Sequence, residues 1–163
     1  MDLKSKSPQD RRRKNIAIER YGSMLASAIT SPQRLEQTTF IPVPPSKAKD
    51  HPEYDNRLIR VLQAFSEATE LKVDYRELVL STQSREARHV SGEYREPDSL
   101  VKTYKIHDDK KPIGSNGIIV FDDTTSTGAS FAAMKQVLTA HFGDIYITGV
   151  FLARTVHPIY DDV

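Results

Sequence analysis

The stretch GIIVFDDTTSTGASF, residues 117–131, constrains this chain more than any other. Ile118 to Phe121 form an apolar run that leads straight into two adjacent aspartates, Asp122 and Asp123. Small hydroxyl residues follow, then Gly128, then a helical pattern from Ala129. An unbroken apolar run of this kind predicts a strand buried on both faces, as in a parallel sheet covered by helices. Like charges at the end of such a strand are unfavourable unless something satisfies them. A sugar diol can do so, because a carboxylate accepts two hydroxyl hydrogen bonds at close range. Thr125, Ser126, Thr127, Gly128, Ala129 and Ser130 then offer consecutive backbone N–H groups, hydroxyls and a helix N-terminus, which is the chemistry of a phosphate cradle. Gly128 permits close backbone approach or an unusual dihedral. Diol acceptors beside a phosphate cradle predict a site for a ribose 5-phosphate.

The rest of the chain supplies a frame for that site. SPQDRRRKNIAIERYGSMLASAI reads as a helix with capping chemistry at its start and Ile18, Tyr21, Leu25 and Ile29 on one face. TTFIPVPPS predicts a buried strand that ends in a rigid loop at Pro44-Pro45. YDNRLIRVLQAFSEAT predicts a second helix with Asp55 as N-cap and Leu58, Leu62 and Phe65 facing inward. RELVLST reads as a strand, GASFAAMKQVLTAHF as a helix and DIYITGVFLAR as a strand. Between Thr82 and Lys102 no apolar periodicity survives, which predicts a long polar loop of the kind that is usually either a functional lid or disordered. Alternating helices and strands predict an α/β domain with a mostly parallel sheet flanked by helices. Ligands in such sheets bind at the carboxyl ends of the strands. Both PVPPSK and DDTTSTGAS fall there.

Composition narrows the chemistry. The 163 residues suit one domain, 1–163, with residues 1–37 as an N-terminal helical segment. A formal net charge of +1 gives no field that would favour nucleic acid or an acidic membrane. Cysteine is absent, which removes disulfides, thiol catalysis and thiolate-bound metal together. The polar N-terminus MDLKSKSPQDRRRK does not read as a signal peptide, and no apolar run is long enough to cross a bilayer. A cytoplasmic setting is the expectation.

The stretch IIVFDDTTSTGAS resembles the PRPP-binding motif of type I phosphoribosyltransferases, where PRPP is 5-phosphoribosyl 1-pyrophosphate. FIPVPPSK looks like the pyrophosphate-binding loop of that fold, and HPEYDNRLIRVLQAF and FLART look most like the ComF-like branch. The matches run in family order over residues 38–155. The resemblance implies a type I phosphoribosyltransferase fold, Rossmann-like with a long flexible loop. It also implies a reaction: a nitrogen nucleophile, such as a nucleobase, takes the 5-phosphoribosyl group and pyrophosphate leaves. Asp122 and Asp123 would bind the ribose hydroxyls. Thr125, Ser126, Thr127, Gly128, Ala129 and Ser130 would hold the 5-phosphate. Pro44, Pro45, Ser46 and Lys47 would sit at the pyrophosphate. Mg2+ would arrive on PRPP, near Asp122 and Asp123, with few direct protein ligands. Arg85, Arg88 and His89 on the long loop could reach the pyrophosphate or substrate, with Arg85, Arg88 and Lys47 as the catalytic cations. The expected assembly is a homodimer or a subunit of a larger complex, with residues 1–37 as a reduced hood or partner contact.

Two departures limit the match. Ser126 stands where some purine-type members carry an acid, which argues against 6-oxopurine chemistry. No hood signature identifies the acceptor. Other readings compete for the same residues. The same fold serves as a non-catalytic PRPP or nucleotide sensor, or as a regulatory subunit. A phosphatase-like reading of the strand-end aspartate wants an acid two residues on, where Thr124 and Thr125 stand. Nothing matches the Gly-Lys-Ser/Thr of a Walker loop. Arg11–Lys14 reads most simply as a solvated first turn, Tyr54 as a packing residue, and the histidines show no metal spacing.

Overall fold

The computed structural model describes residues 7–29, 31–84, 96–107 and 110–155. Helix α1 (Pro8–Ala28) is followed by a 3-10 turn (Pro32–Gln37), strand β1 (Thr39–Pro42), helix α2 (Arg57–Thr69) and strands β2 (Asp74–Tyr75) and β3 (Val79–Ser81). Helix α3 (Pro97–Val101), strands β4 (Tyr104–Ile106) and β5 (Ile118–Thr125), helix α4 (Ala129–Phe142) and strand β6 (Ile147–Arg154) complete the described elements. Four strands form one sheet in the order β2-β1-β5-β6, every pair parallel. Helices α2 and α4 are the crossovers that parallel neighbours require. The result is a Rossmann-like α/β architecture. Its strand order runs outward in both directions from β1 and β5, and the crevice beyond that switch point is where such sheets place ligands.

Burial explains why these runs became strands. All four residues of β1 are buried, as are Val120 and Phe121 in sequence, which a strand achieves only when both faces are covered. Phe40 meets Phe65 of α2 edge to face at 5.5 Å, and Leu62, Met134 and Leu138 complete a core with no exposed surface at those three positions. Ser7 caps α1 by accepting from the Asp10 N–H, and Pro8 occupies the first turn, as SPQD predicts.

The inward face of α1 differs from the expected one. Ile18, Gly22 and Leu25 are buried, whereas Tyr21 is 41% exposed. A Cβ on Gly22 would stand 2.6 Å from Ala64 Cβ and 2.7 Å from the Phe65 nitrogen. The missing side chain lets α1 and α2 touch, so the helix turns Gly22, not Tyr21, toward its neighbour. The start of α2 also shifts by one residue. Asn56 is the N-cap without a side-chain bond, and Asp55 accepts the Arg57 N–H from just outside the helix.

RELVLST does form a strand, but outside the main sheet. β3 pairs antiparallel with β4, which the sequence did not announce. The segment Thr82–Lys102 is likewise not structureless over its described length. Thr82 is tied to the Thr103 carbonyl, and α3 buries Leu100 to 3% exposure. A five-residue helix with one buried apolar side chain is too short for periodicity to reveal.

Candidate functional site

β5 does not stop at the aspartates. Asp122 pairs in register with Phe151, and the ladder with β6 continues to Thr125 opposite Arg154. Thr125 is thus the last strand residue and the phosphate-loop candidate begins at Ser126. Gly128 then takes φ 79°, the left-handed region that favours glycine, and serves as N-cap of α4. The Ala129 N–H leans on Thr127 Oγ1 at 3.4 Å, and the Ala132 N–H begins the helical ladder at the Gly128 carbonyl. The loop therefore turns by a glycine cap that has no side chain of its own to offer the helix, and its residues line a small cleft.

That cleft holds about 50 Å3 and is lined by residues 124–131 together with Leu100, Asp122 and Phe151. A larger cavity of about 490 Å3 opens beside it, bounded by Pro44, Pro45, Ser46 and Lys47 after β1 and by Asp122 and Asp123 of β5. Leu100, Asp122, Thr124 and Ser130 line both spaces. The sequence-predicted loops thus meet at one crevice at the carboxyl ends of β1 and β5, with the aspartates between them. Arg85, Arg88 and His89 lie outside the described residues.

The two aspartates have different surroundings. Asp122 is half-buried and its Oδ1 accepts the Asp123 N–H at 2.9 Å. Burial, and then the neighbouring Asp123 charge, push its carboxyl up to about 7. Asp123 Oδ2 accepts from Arg57 Nε at 2.6 Å. Arg57 also reaches Asp55 at 3.5 Å, and Asp55 binds Lys14 of α1 at 2.5 Å. Burial alone would raise the Asp55 carboxyl; the bond and charge of Lys14, with help from Arg57, instead hold it below the usual range.

The charge run Arg11–Lys14 therefore splits. Its three arginines are exposed, while Lys14 turns inward to Asp55. Lys47 stands 3.9 Å from Glu53, a loose pairing, and Lys49 binds Glu77 at 2.9 Å. Tyr54 lines the cavity and donates its hydroxyl to Glu77, so it is more than packing. Burial, reinforced by Glu77, raises the Tyr54 hydroxyl far above its ordinary value. The Ala48 N–H donates to Ser84 Oγ, which fastens the loop after β1 to the chain leaving β3.

Sequence reasoning missed Arg57 and Glu77, left Lys49 open between the site and the plain surface, and gave Asp55 and Lys14 other roles. Asp55 and Arg57 lie within HPEYDNRLIRVLQAF, a stretch that gave neither of them a ligand role; the charges meet only because α1, α2 and the chain after β2 converge on the crevice. Among the described residues no group of three or more histidine or acidic side chains is placed to hold a metal. Asp122 and Asp123 are hard oxygen donors that suit Mg2+ when a ligand supplies the remaining oxygens. Among the described residues, no helix is long and apolar enough to cross a membrane. No protein-family model matches the chain, and no curated protein matches it.

Proposed function

We propose that this chain is a type I phosphoribosyltransferase. In this reading it binds PRPP with Mg2+ and passes the 5-phosphoribosyl group to a nitrogen nucleophile, releasing pyrophosphate. The observation that carries the reading is the adjacency of two spaces that share Asp122. The cleft at the glycine-capped start of α4 is of a size for a phosphate, and the cavity beyond the aspartates is large enough for pyrophosphate and an acceptor. Asp122 and Asp123 then accept the ribose hydroxyls. The amides of residues 126–130 and the hydroxyls of Ser126, Thr127 and Ser130 hold the 5-phosphate. Ser46 and Lys47 bind the pyrophosphate, with Pro44 and Pro45 stiffening the loop that presents them.

Each group then has a place in the reaction. The nitrogen lone pair forms a bond to the anomeric carbon as the carbon–oxygen bond to pyrophosphate breaks, and that electron pair leaves with pyrophosphate. The nitrogen's surplus proton goes to solvent or to the departing anion. Lys47 stabilises the growing charge on the leaving group, and holding sugar and acceptor together supplies much of the acceleration. Mg2+, when bound, would neutralise pyrophosphate oxygens near Asp122 and Asp123. Arg85 and Arg88 are assigned to the closing of the active site, where they act mainly in the transition state. Replacing both with alanine should lower turnover by about tenfold to a thousandfold and change PRPP affinity far less.

Pyrophosphate release from PRPP, measured against a panel of nitrogenous bases, tests the activity. Release that depends on one class of base, and is lost in Asp122→Asn/Asp123→Asn, is the expected result. PRPP binding with no release from any base would favour a PRPP sensor over a transferase.

A further inference from the structure

We propose that Arg57 is a second ligand-binding cation of this site, held by Asp123 while the site is empty and handed to the pyrophosphate when the sugar arrives. The proposal rests on the phosphoribosyl reading and adds to it a residue to which the sequence resemblance gave no role.

Arg57 opens α2, and its backbone N–H donates to Asp55 Oδ1 at 3.0 Å. Its guanidinium spans two carboxylates, with Nε 2.6 Å from Asp123 Oδ2 and Nη1 3.5 Å from Asp55 Oδ2. Lys14 of α1 fixes Asp55 at 2.5 Å. A line of alternating charge, Lys14–Asp55–Arg57–Asp123, therefore runs from the N-terminal helix into the crevice. Only the last of its carboxylates is a sugar ligand in the proposed site. Diol hydroxyls that bind Asp123 compete for the oxygen that Arg57 now occupies. A guanidinium that loses this bond still has Asp55 as an anchor, and its planar fork of donors is then free for an oxyanion.

Position says which anion. Arg57 lines the larger cavity with Ser46 and Lys47, and has no part in the cleft beside the phosphate loop. It thus faces the pyrophosphate end of the ligand and not the 5-phosphate. Charge points the same way. The larger cavity is lined by four carboxylates and three cations, a poor receptor for a polyanion as it stands. Lys49 is engaged by Glu77 at 2.9 Å, a carboxylate that is not a sugar ligand in the proposed site. Arg57 is the cation whose present partner the sugar itself takes over. Binding of the sugar would in this way release the positive charge that the pyrophosphate needs, at the moment it needs it.

Calorimetry in magnesium buffer tests this with two probes, ribose 5-phosphate and PRPP, on the wild type, Arg57→Gln and Arg57→Lys. The Arg57 side chain is 45% exposed, so its replacement should leave the fold intact, which a thermal melt checks. Arg57→Gln should weaken PRPP by about tenfold to a hundredfold, the worth of a charge-assisted contact to phosphate. Ribose 5-phosphate should bind the same variant as well as the wild type or tighter, because Asp123 is no longer occupied. Arg57→Lys should recover part of the PRPP affinity, and it carries the test if the glutamine variant does not fold. Equal weakening of both probes, or equal or tighter binding of both, would overturn the role of Arg57 and leave the phosphoribosyl reading standing. A folded wild type that binds neither probe would instead overturn that reading, and this proposal with it.

Discussion

At the residue scale, Asp122 and Asp123 are neighbours in sequence and unlike in surroundings. Asp123 has a cation at 2.6 Å, whereas Asp122 is burdened by burial and by Asp123, which push its carboxyl up to about 7. A raised carboxyl means that the folded chain keeps a proton which the unfolded chain gives up. Stability contributed by Asp122 therefore falls as pH climbs from the ordinary value of 3.8 to about 7, and levels off above that. Asp122→Asn should remove this dependence. In thermal melts the variant should match the wild type near pH 4 and exceed it at pH 8 by about 1–2 kcal/mol, ~3–6 °C for a chain of this size. A gap that does not change with pH would contradict the assignment. Gly128 makes the second residue-level claim. Its φ of 79° is unfavourable for any residue with a Cβ, although among the described residues nothing beyond its own chain neighbours lies within 4 Å of where that Cβ would be. The penalty is thus conformational. Gly128→Val should cost on the order of 1–2 kcal/mol and abolish ribose 5-phosphate binding, because the loop must leave its left-handed turn. Unchanged affinity by calorimetry would make residues 126–130 an ordinary helix start.

At the scale of elements, two contacts hold the frame on which the site stands. α1 meets α2 through Gly22, where even a methyl group would collide with Ala64 and the Phe65 backbone. Gly22→Ala should lower stability by about 1–3 kcal/mol despite raising helix propensity, since the helices must part. A higher melting temperature would show that the helices separate freely. At the other end of the strands, Asp74 of β2 binds Lys111 at 2.7 Å, Thr39 at 2.9 Å and Arg76 at 2.8 Å, clamping the chain before β5 to β1 and β2. Burial works against the Asp74 charge, and these bonds outweigh it and lower the carboxyl below its ordinary value. Such a group lends stability above the ordinary carboxylate range and loses it as pH falls through the lowered value. Asp74→Asn should therefore melt lower than the wild type at pH 7, by roughly 1–3 kcal/mol, and converge with it in strong acid. These contacts also show where the sequence was legible. Long apolar runs such as Ile118–Phe121 announced β5 because burial on both faces leaves no polar position to confuse the pattern. The face of α1 was misread because its central contact is a glycine, which has no apolar side chain to count. β2, β4 and α3 were missed because two to five residues are too few to show a period.

At the scale of the whole molecule, the candidate site joins pieces that differ in how they can be read. The two loops after β1 and β5 are contiguous in sequence, so each carried its chemistry in plain order, and the parallel sheet brings their ends to one crevice. The charges that tune the crevice are not contiguous. Lys14, Asp55 and Arg57 meet Asp123 only after α1 has packed on α2 and α2 has swung over the sheet, and no spacing encodes that. The same crevice gives the ligand requirement its physical basis. Carboxylates outnumber cations in the larger cavity, so a polyanion should enter with a metal and bind poorly without one. The most direct measurement is calorimetry of PRPP against the wild type and Asp122→Asn/Asp123→Asn, each with and without Mg2+. The account predicts saturable binding at one site per chain in the wild type with Mg2+, at least about tenfold weaker without it, and none in a double variant that remains folded. Binding by the double variant that equals the wild type, or a folded wild type that ignores PRPP in the presence of Mg2+, would contradict it.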